Sequence, residues 1–367
     1  MSLRIRRIES EAEFAALADA WTDLAARSGQ TSPFLSHDWF ACCWPAVTPD
    51  RRPEVVVVED GGHLVAALPL MWWKERRRGM PVRRLALLEC PDTPYIDVLV
   101  GGPARPIAAA LVEHLAARRD WDVASLQKLP PTSPVLKELE AAALPGRLPW
   151  RRAEASLSPY LAIAGDWAAF WKGTSQRFKK TCRNVQNRLE RAGHVRIEEH
   201  AEVDADGPLF AELVDLSRRS WKGERGVAIA TMPNMHGFFA DLTRRATARG
   251  WLALWTLRLD GRLVAMEYQL RHGGRVNALR ADFDPALREV SPGSALNFAI
   301  ARALFERGGI HEYDMGPGLN DYKLRWATGT HEGTHLMAYR PTAYGRLLHL
   351  LDTRVRPVVH RIRERLA

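Results

Sequence analysis

An Asp-Gly pair occurs twice, 200 residues apart, at Asp60-Gly61 and Asp260-Gly261, each time between two apolar runs rich in β-branched residues. Glu54–Leu70 reads EVVVVEDGGHLVAALPL, and Trp251–Leu270 reads WLALWTLRLDGRLVAMEYQL. Asp-Gly between such runs predicts a tight hairpin, because its turn needs residues that tolerate positive φ. Leu64-Val65-Ala66 matches Leu263-Val264-Ala265 after one inserted glycine. The order after each hairpin matches as well. In the first half a strand (Tyr95–Val100), a helix (Pro106–Arg118) and a strand (Trp121–Gln127) are expected. In the second half the same order runs Arg275–Asp282, Ala295–Arg307 and Ile310–Met315. The repeat predicts two copies of one α/β unit. A chain of 367 residues has room for both, since single cores rarely grow past ~250–300 residues. The boundary is expected between Leu144 and Pro159, a stretch rich in Pro, Gly and Arg. That gives domains 1–150 and 151–342 and a tail, 343–367.

Leu287–Trp326 carries most of the chemistry. A Ser-Pro-Gly-Ser turn (Ser291–Ser294) opens a helix whose stripe is Leu296, Ile300, Ala303 and Leu304, with Gly308-Gly309 as its stop. Ser291 or Ser294 is the expected cap. The helix start would offer unpaired N–H groups at the positive end of its dipole, a ready anion site. The corresponding place in the first copy, Gly101–Pro106, has a second proline and fewer donors. The first copy is therefore expected to be structural or acceptor-binding and the second to be the donor site.

The longest apolar run, Leu64–Trp73, is half a membrane span, and the N-terminus lacks the apolar stretch of a signal peptide. A cytoplasmic protein is expected. Cys42, Cys43, Cys90 and Cys182 have no CxxC spacing and read as small buried residues rather than zinc ligands or a disulfide framework. The net charge of +9 favours an acidic partner.

This order of elements resembles the GNAT acyltransferases, whose phosphate loop follows R/Q-x-x-G-x-G/A. Arg288-Glu289-Val290-Ser291-Pro292-Gly293 fits it with Ser in place of the first glycine, and Pro292 removes one donor. From Trp167 to Ala338 the chain more specifically resembles the FemAB-like, CelD-type branch, whose members have tandem GNAT folds. The matching landmarks are the basic helix Arg177–Arg191, Ser220-Trp221-Lys222-Gly223, Ser291-Pro292-Gly293, and Asp314–Gly318 followed by Tyr322-Lys323 and Trp326. The resemblance implies an α/β (α+β) fold of two GNAT-like domains, each a mixed, mostly antiparallel sheet flanked by helices. It also implies acyl-CoA as co-substrate, an amine acceptor and no metal.

Acyl transfer to an amine needs a held thioester, a donor for the developing oxyanion and a base for the amine. The resemblance assigns the donor's diphosphate to Arg288, Val290, Ser291, Gly293, Ser294 and Asn297, with Arg280 nearby, and the thioester carbonyl to the open edge of Val276–Asp282. Glu267, on a polar strand face with Gln269 and Arg271, is one choice of base, and Asp282 is the other. Tyr322 stands where GNAT enzymes often place an acid for the leaving thiolate, and a phenol suits that proton. Lys323 and Lys222 are candidates to neutralise a phosphate or carboxylate. Trp221, Lys222, Lys180 and Arg183 are the candidate acceptor contacts.

His331-Glu332-Gly333-Thr334-His335 spells HExxH. Zinc binding by that motif needs a helix, whereas its glycines and threonines predict a strand, with the histidines about 13 Å apart at ~3.3 Å per residue. The tail from Tyr344 has an apolar stripe and six arginines, as expected of a terminal helix or of one lying on an anionic membrane. The function expected is N-acyl transfer from acyl-CoA to a lipid or sphingoid amine, an amino sugar or an amino acid of the envelope. A Fem-type peptidoglycan aminoacyltransferase using aminoacyl-tRNA, which would explain the charge, and an inert binding protein of an envelope-polysaccharide complex are the rivals.

Overall fold

Both hairpins form, and both turn on two residues with positive φ. In the computed structural model, which describes residues 2–77, 79–143 and 147–355, these are Gly61 (φ 58°) with Gly62 (φ 85°) and Asp260 (φ 49°) with Gly261 (φ 80°). The inserted glycine therefore occupies the turn itself, and Gly61-Gly62 is the counterpart of Asp260-Gly261.

The chain divides into two compact units, Met1–Ser156 with Glu332–Ala367, and Leu157–His331. The first contains β1 (Leu3–Ile8), β2 (Arg52–Asp60), β3 (His63–Arg77), β4 (Met80–Leu87), β5 (Leu99–Val100) and β6 (Val123–Leu129). Strand β7 (Trp150–Ala162) enters the second unit, which holds β8 (Val195–His200), β9 (Leu252–Leu259), β10 (Arg262–His272), β11 (Arg275–Phe283) and β12 (Glu312–Asp314). Strand β13 (Gly329–Tyr339) returns to the first. Within the first unit the strand order is β1-β2-β3-β4-β6-β13, and within the second it is β8-β9-β10-β11-β12-β7. Each sheet is antiparallel apart from one parallel pair, β4–β6 and β11–β12. A helix makes each crossover, Ala104–Ala117 in the first unit and Pro292–Arg307 in the second.

Three expectations change. Tyr95–Val100 is a strand only at Leu99–Val100. The true third strand is β4, and β3 pairs first with β5 and then with β4, so the two together cover what β11 covers alone. The stretch read as a linker is β7 from Trp150 on, because its alternating residues pair in a sheet despite the flanking prolines. Glu332–Tyr339 goes with the first unit rather than the second, because Thr334–Tyr339 pairs antiparallel with β6.

The Pro292–Arg307 helix buries Leu296, Ile300, Ala301 and Leu304 in a cluster shared with Leu257, Val264 and Val276 of the sheet. The same cluster takes in Cys182, Val185 and Leu189 of the basic helix, which runs Gln176–Ala192. All four cysteines are buried, and none is in a disulfide. HExxH lies in β13. The tail begins as the helix Ala343–Leu350 with a π-turn at Leu351–Val355, and the remainder of the expected terminal helix lies outside the described residues. No helix among the described residues is long and apolar enough to cross a membrane.

Ile300 is fully buried beneath the sheet, so Ile300→Ala is expected to cost about 2–5 kcal/mol through lost transfer energy and the cavity left behind. Urea unfolding followed by tryptophan fluorescence measures it.

Candidate active site

Strands β11 and β12 pair over only three positions, Arg275–Asn277 with Glu312–Asp314. Gly316 then takes up φ 76° with its Cα close beneath the Ala278 carbonyl, where a Cβ would stand 3.0 Å from that oxygen. Beyond this point no strand among the described residues covers the β12 side of Ala278–Phe283. The pairing with β10 shifts register between Tyr268 and Gln269, leaving Leu279 as a bulge. A bulge beside a parting pair of strands exposes backbone groups of β11 to whatever lies in the gap.

Glu267 lies beside this gap, 3 % exposed, and Gln269 on the same polar strand face is buried with it. Three donors converge on its carboxylate. Gln269 Nε2 donates at 2.7 Å and Asn297 Nδ2 at 3.0 Å, and the Tyr313 hydroxyl donates to Oε1. Burial raises the Glu267 pKa above the ordinary carboxylate value, against the lowering effect of the three donors. Tyr313, buried and next to that carboxylate, is itself raised.

Asp282, the other base candidate, lies on the opposite face. Glu267 is paired with Ala281, and Asp282 is the next residue along, opposite Met266. Its carboxylate accepts from Ser220 Oγ at 3.0 Å and Arg280 Nε at 2.9 Å, and Lys222 Nζ lies 3.1 Å away. Arg280, expected at the cofactor, is instead buried there, donating also to Ser217 Oγ (3.0 Å) and the Val227 carbonyl (2.8 Å). This network ties β11 to the Ser217–Val227 segment. Lys222 reaches further and donates to the Ala281 carbonyl at 2.8 Å. Trp221, 41 % exposed, lies under the Lys222 and Arg225 cations.

A small cleft in the second unit brings together Ser294, Asn297, Tyr322, Arg325 and Trp326 with Phe178, Thr181, Cys182 and Val185 of the basic helix. The Tyr322 phenol is raised by burial and by the negative charge of Glu267, which keeps it protonated and able to donate. Lys323 Nζ donates to the Gly316 and Pro317 carbonyls at 3.0 and 2.8 Å and so holds the glycine loop. Burial lowers its pKa. Lys180 and Arg183 stand exposed on the basic helix. Trp167, Trp171, Phe298 and Trp326 pack together behind the cleft.

The phosphate turn differs from expectation. Ser291 caps the helix in a left-handed conformation, with no side-chain capping bond. Its amide bonds to the Leu287 and Arg288 carbonyls, Val290 N to Leu287 O, Arg288 N to Pro285 O, and Ser294 N to Ser291 O. The chain folds back on itself here because Asp284, capping Ala286 N and paired with Arg219 and Arg262, anchors a 3-10 turn just before it. Of the turn's amides, those of Glu289 and Gly293 make no hydrogen bond among the described residues. Asn297, assigned to the cofactor, binds Glu267 instead. Gly293 lies against Phe283, and the Arg288 side chain is exposed.

Glu312, Asp314 and His331 each bring one ligand-type atom within 4.8 Å of the others. Arg275 Nε, 3.3 Å from Glu312, and His331 Nε2, 3.1 Å away, already face that carboxylate. Tyr313 was missed by the sequence reading. Its signal was strand alternation, which puts it on the face opposite Glu312 and Asp314.

Residues 176–324 match the acetyltransferase (GNAT) domain family. That span begins at the basic helix and takes in Glu267, the bulge, the phosphate turn and Tyr322. No curated protein matches the sequence. Among solved structures, FemX is similar over 96 % of this chain and 100 % of its own (12 % identity, TM-score 0.56). A tandem GNAT protein from the clavulanic acid biosynthesis pathway is similar over 92 % and 98 % (15 % identity, TM-score 0.53). L-PGS from Bacillus licheniformis is similar over 91 % and 96 % (15 % identity, TM-score 0.53). At these identities the likeness establishes the fold, a GNAT-type α/β architecture, and nothing finer.

The raised pKa of Glu267 has a consequence for stability. The folded state binds this proton more tightly than the unfolded chain does, so the contribution is full below the ordinary value of 4.5 and is lost as pH rises through the raised one. Glu267→Gln removes the titration, and its stability should therefore fall less than the wild type's as pH is raised above about 4.5. Urea midpoints at a series of pH values test this.

Proposed function

We propose that the second unit is an N-acyltransferase, moving an acyl group from the thioester of acyl-CoA to a primary amine, with an envelope-related acceptor such as a lipid amine, an amino sugar or an amino acid. The observation that carries this is the buried Glu267, set among three donors beside the parting of β11 and β12 within a GNAT acetyltransferase domain. The attacking amine must be neutral, and a carboxylate with a raised pKa is a better base than an ordinary one. Asn297 joins Glu267 to the cleft, and Tyr322, on the cleft wall, is the acid that returns a proton to the leaving thiolate. The uncovered backbone of Ala278–Phe283 is the place for the thioester carbonyl. Lys323 and Lys222 hold the two sides of the gap in place, and Asp282, on the far face, secures the wall rather than the chemistry.

One observation favours the second reading. Most amides of the phosphate turn are engaged within the turn, so a coenzyme A diphosphate meets only the Glu289 and Gly293 groups as free donors. A Fem-type aminoacyl-tRNA donor does not require that grip. The CelD-type branch within the GNAT proteins and an inert binding role rest on the sequence landmarks alone.

Acyl-CoA and a panel of amines, followed by thiol release and mass spectrometry of the products, distinguish these readings. Turnover unaffected by ribonuclease is expected, with kcat of Glu267→Gln lower by about 10²–10⁴ and KM little changed. If coenzyme A raises the Tm by nothing measurable and no acyl group moves, the acyl-CoA reading is wrong. Ribonuclease-sensitive transfer would select the tRNA-dependent one.

A further inference from the structure

The Gln176–Ala192 helix carries Arg177, Lys179, Lys180, Arg183, Arg188 and Arg191 against one carboxylate, Glu190. That net of +5 is more than half of the chain's +9. Arg177, Lys180, Arg183, Arg188 and Arg191 are exposed and make no ion pair among the described residues. Elsewhere in the same unit Arg196, Arg218, Arg219, Arg258, Arg302 and Arg307 are paired with carboxylates. The five lie opposite the buried Cys182-Val185-Leu189 stripe, along about 21 Å of helix at ~1.5 Å per residue.

The same helix walls the cleft, whose other side is the short helix Asp321–Trp326. Phe178 of the one packs edge-on against Trp326 of the other at 4.8 Å. On and just before the short helix, Leu319 (50 %) and Leu324 (47 %) are exposed, on either side of the partly exposed Tyr322 of the cleft wall. Two leucines bared within six residues are unusual for a surface in water, where such residues normally occur singly. A phosphodiester chain has no use for exposed leucines, whereas the interface of an anionic bilayer takes both features, cations at the headgroups and leucines among the upper acyl chains.

We propose that this lip and the basic helix together form a membrane-docking surface for an anionic bilayer, which sets the cleft at the level of the headgroups. The inference deepens the transferase reading, since it makes the acceptor a lipid-borne amine presented in the plane of the membrane. The contact is electrostatic and shallow, so it weakens as salt screens it.

Flotation of the full-length protein with phosphatidylcholine vesicles, with and without about a third phosphatidylglycerol, tests the docking. The wild type should float with the anionic vesicles only, and less in 0.5 M salt. Arg188→Glu/Arg191→Glu and Leu319→Ser/Leu324→Ser should each lower partitioning at least 5-fold with unchanged Tm. Both variants keep the C-terminal tail, so their loss is not the tail's. Both should also raise KM for an amine lipid in anionic vesicles while leaving turnover of a soluble amine as it was. Equal flotation with neutral vesicles, no flotation, or variants that bind like the wild type would overturn the proposal, as would tighter retention on RNA than on vesicles. Flotation without turnover of any amine would leave the docking standing and remove the transferase reading instead.

Discussion

Three residue pairs hold β11 to β12, and what the second unit offers chemically depends on their stopping at Asn277 and Asp314. A fourth pair would close the gap and cover the β11 backbone. Gly316 enforces the stop by turning, at positive φ, directly beneath the Ala278 carbonyl, where any side chain would be crowded. Lys323 then fixes the loop that follows by donating to two of its carbonyls, and from the other side Lys222 takes the carbonyl of Ala281. The gap is thus held open by the backbone and braced by two ammonium groups, while the Pro292–Arg307 helix fixes the floor behind it.

The two units share one topology down to the single parallel pair, yet they diverge at this point. Where β11 has one bulged residue, the first unit leaves the sheet after β4 and returns only at β5. The excursion takes the place of the edge that the second unit keeps open. The first unit's polar interior is different in kind as well. Glu54 there meets Arg118 and Arg7, a charge-compensated pairing, whereas Glu267 meets neutral donors only. Burial works against the charged form of Glu267, and the phenol and two amides that hold it bring no compensating charge of their own.

Much of this was legible in the sequence where local chemistry decides. The Asp-Gly turns, the period of the Pro292–Arg307 helix, the stop at Gly308 and the stripe on the basic helix all follow from short-range rules. The position of Glu267 on a polar strand face, and of Tyr322 and Lys323 after the glycine loop, could be read from the order of residues. What could not be read depended on distant partners. Ser291, one of the two expected caps, does take the cap position, but Asp284 and its two arginines fold the turn so that its amides bond to its own carbonyls. Arg280 looked like an anion ligand, but Asp282 one pleat away on the same face claims it. Tyr313 was invisible as a partner of Glu267 because β10 and β12 are separated by β11 in the sheet and by a helix in the chain. The region 144–159 looked like a linker because proline and arginine dominate its composition, while the pairing that makes most of it a strand involves residues far away in the sequence.

The last strand of the first sheet comes from the far end of the chain, since β6 at Val123–Leu129 finds its neighbour only at Thr334–Tyr339. During synthesis, then, the first unit emerges with β6 as a bare rim and waits while residues 130–333 are made. A rim of unsatisfied amides and carbonyls is what drives strands of different molecules together. Slow closure of so wide a loop also delays folding. The nascent chain is therefore exposed to self-association for as long as the second unit is being translated, and truncation anywhere before Thr334 leaves the first unit permanently unfinished.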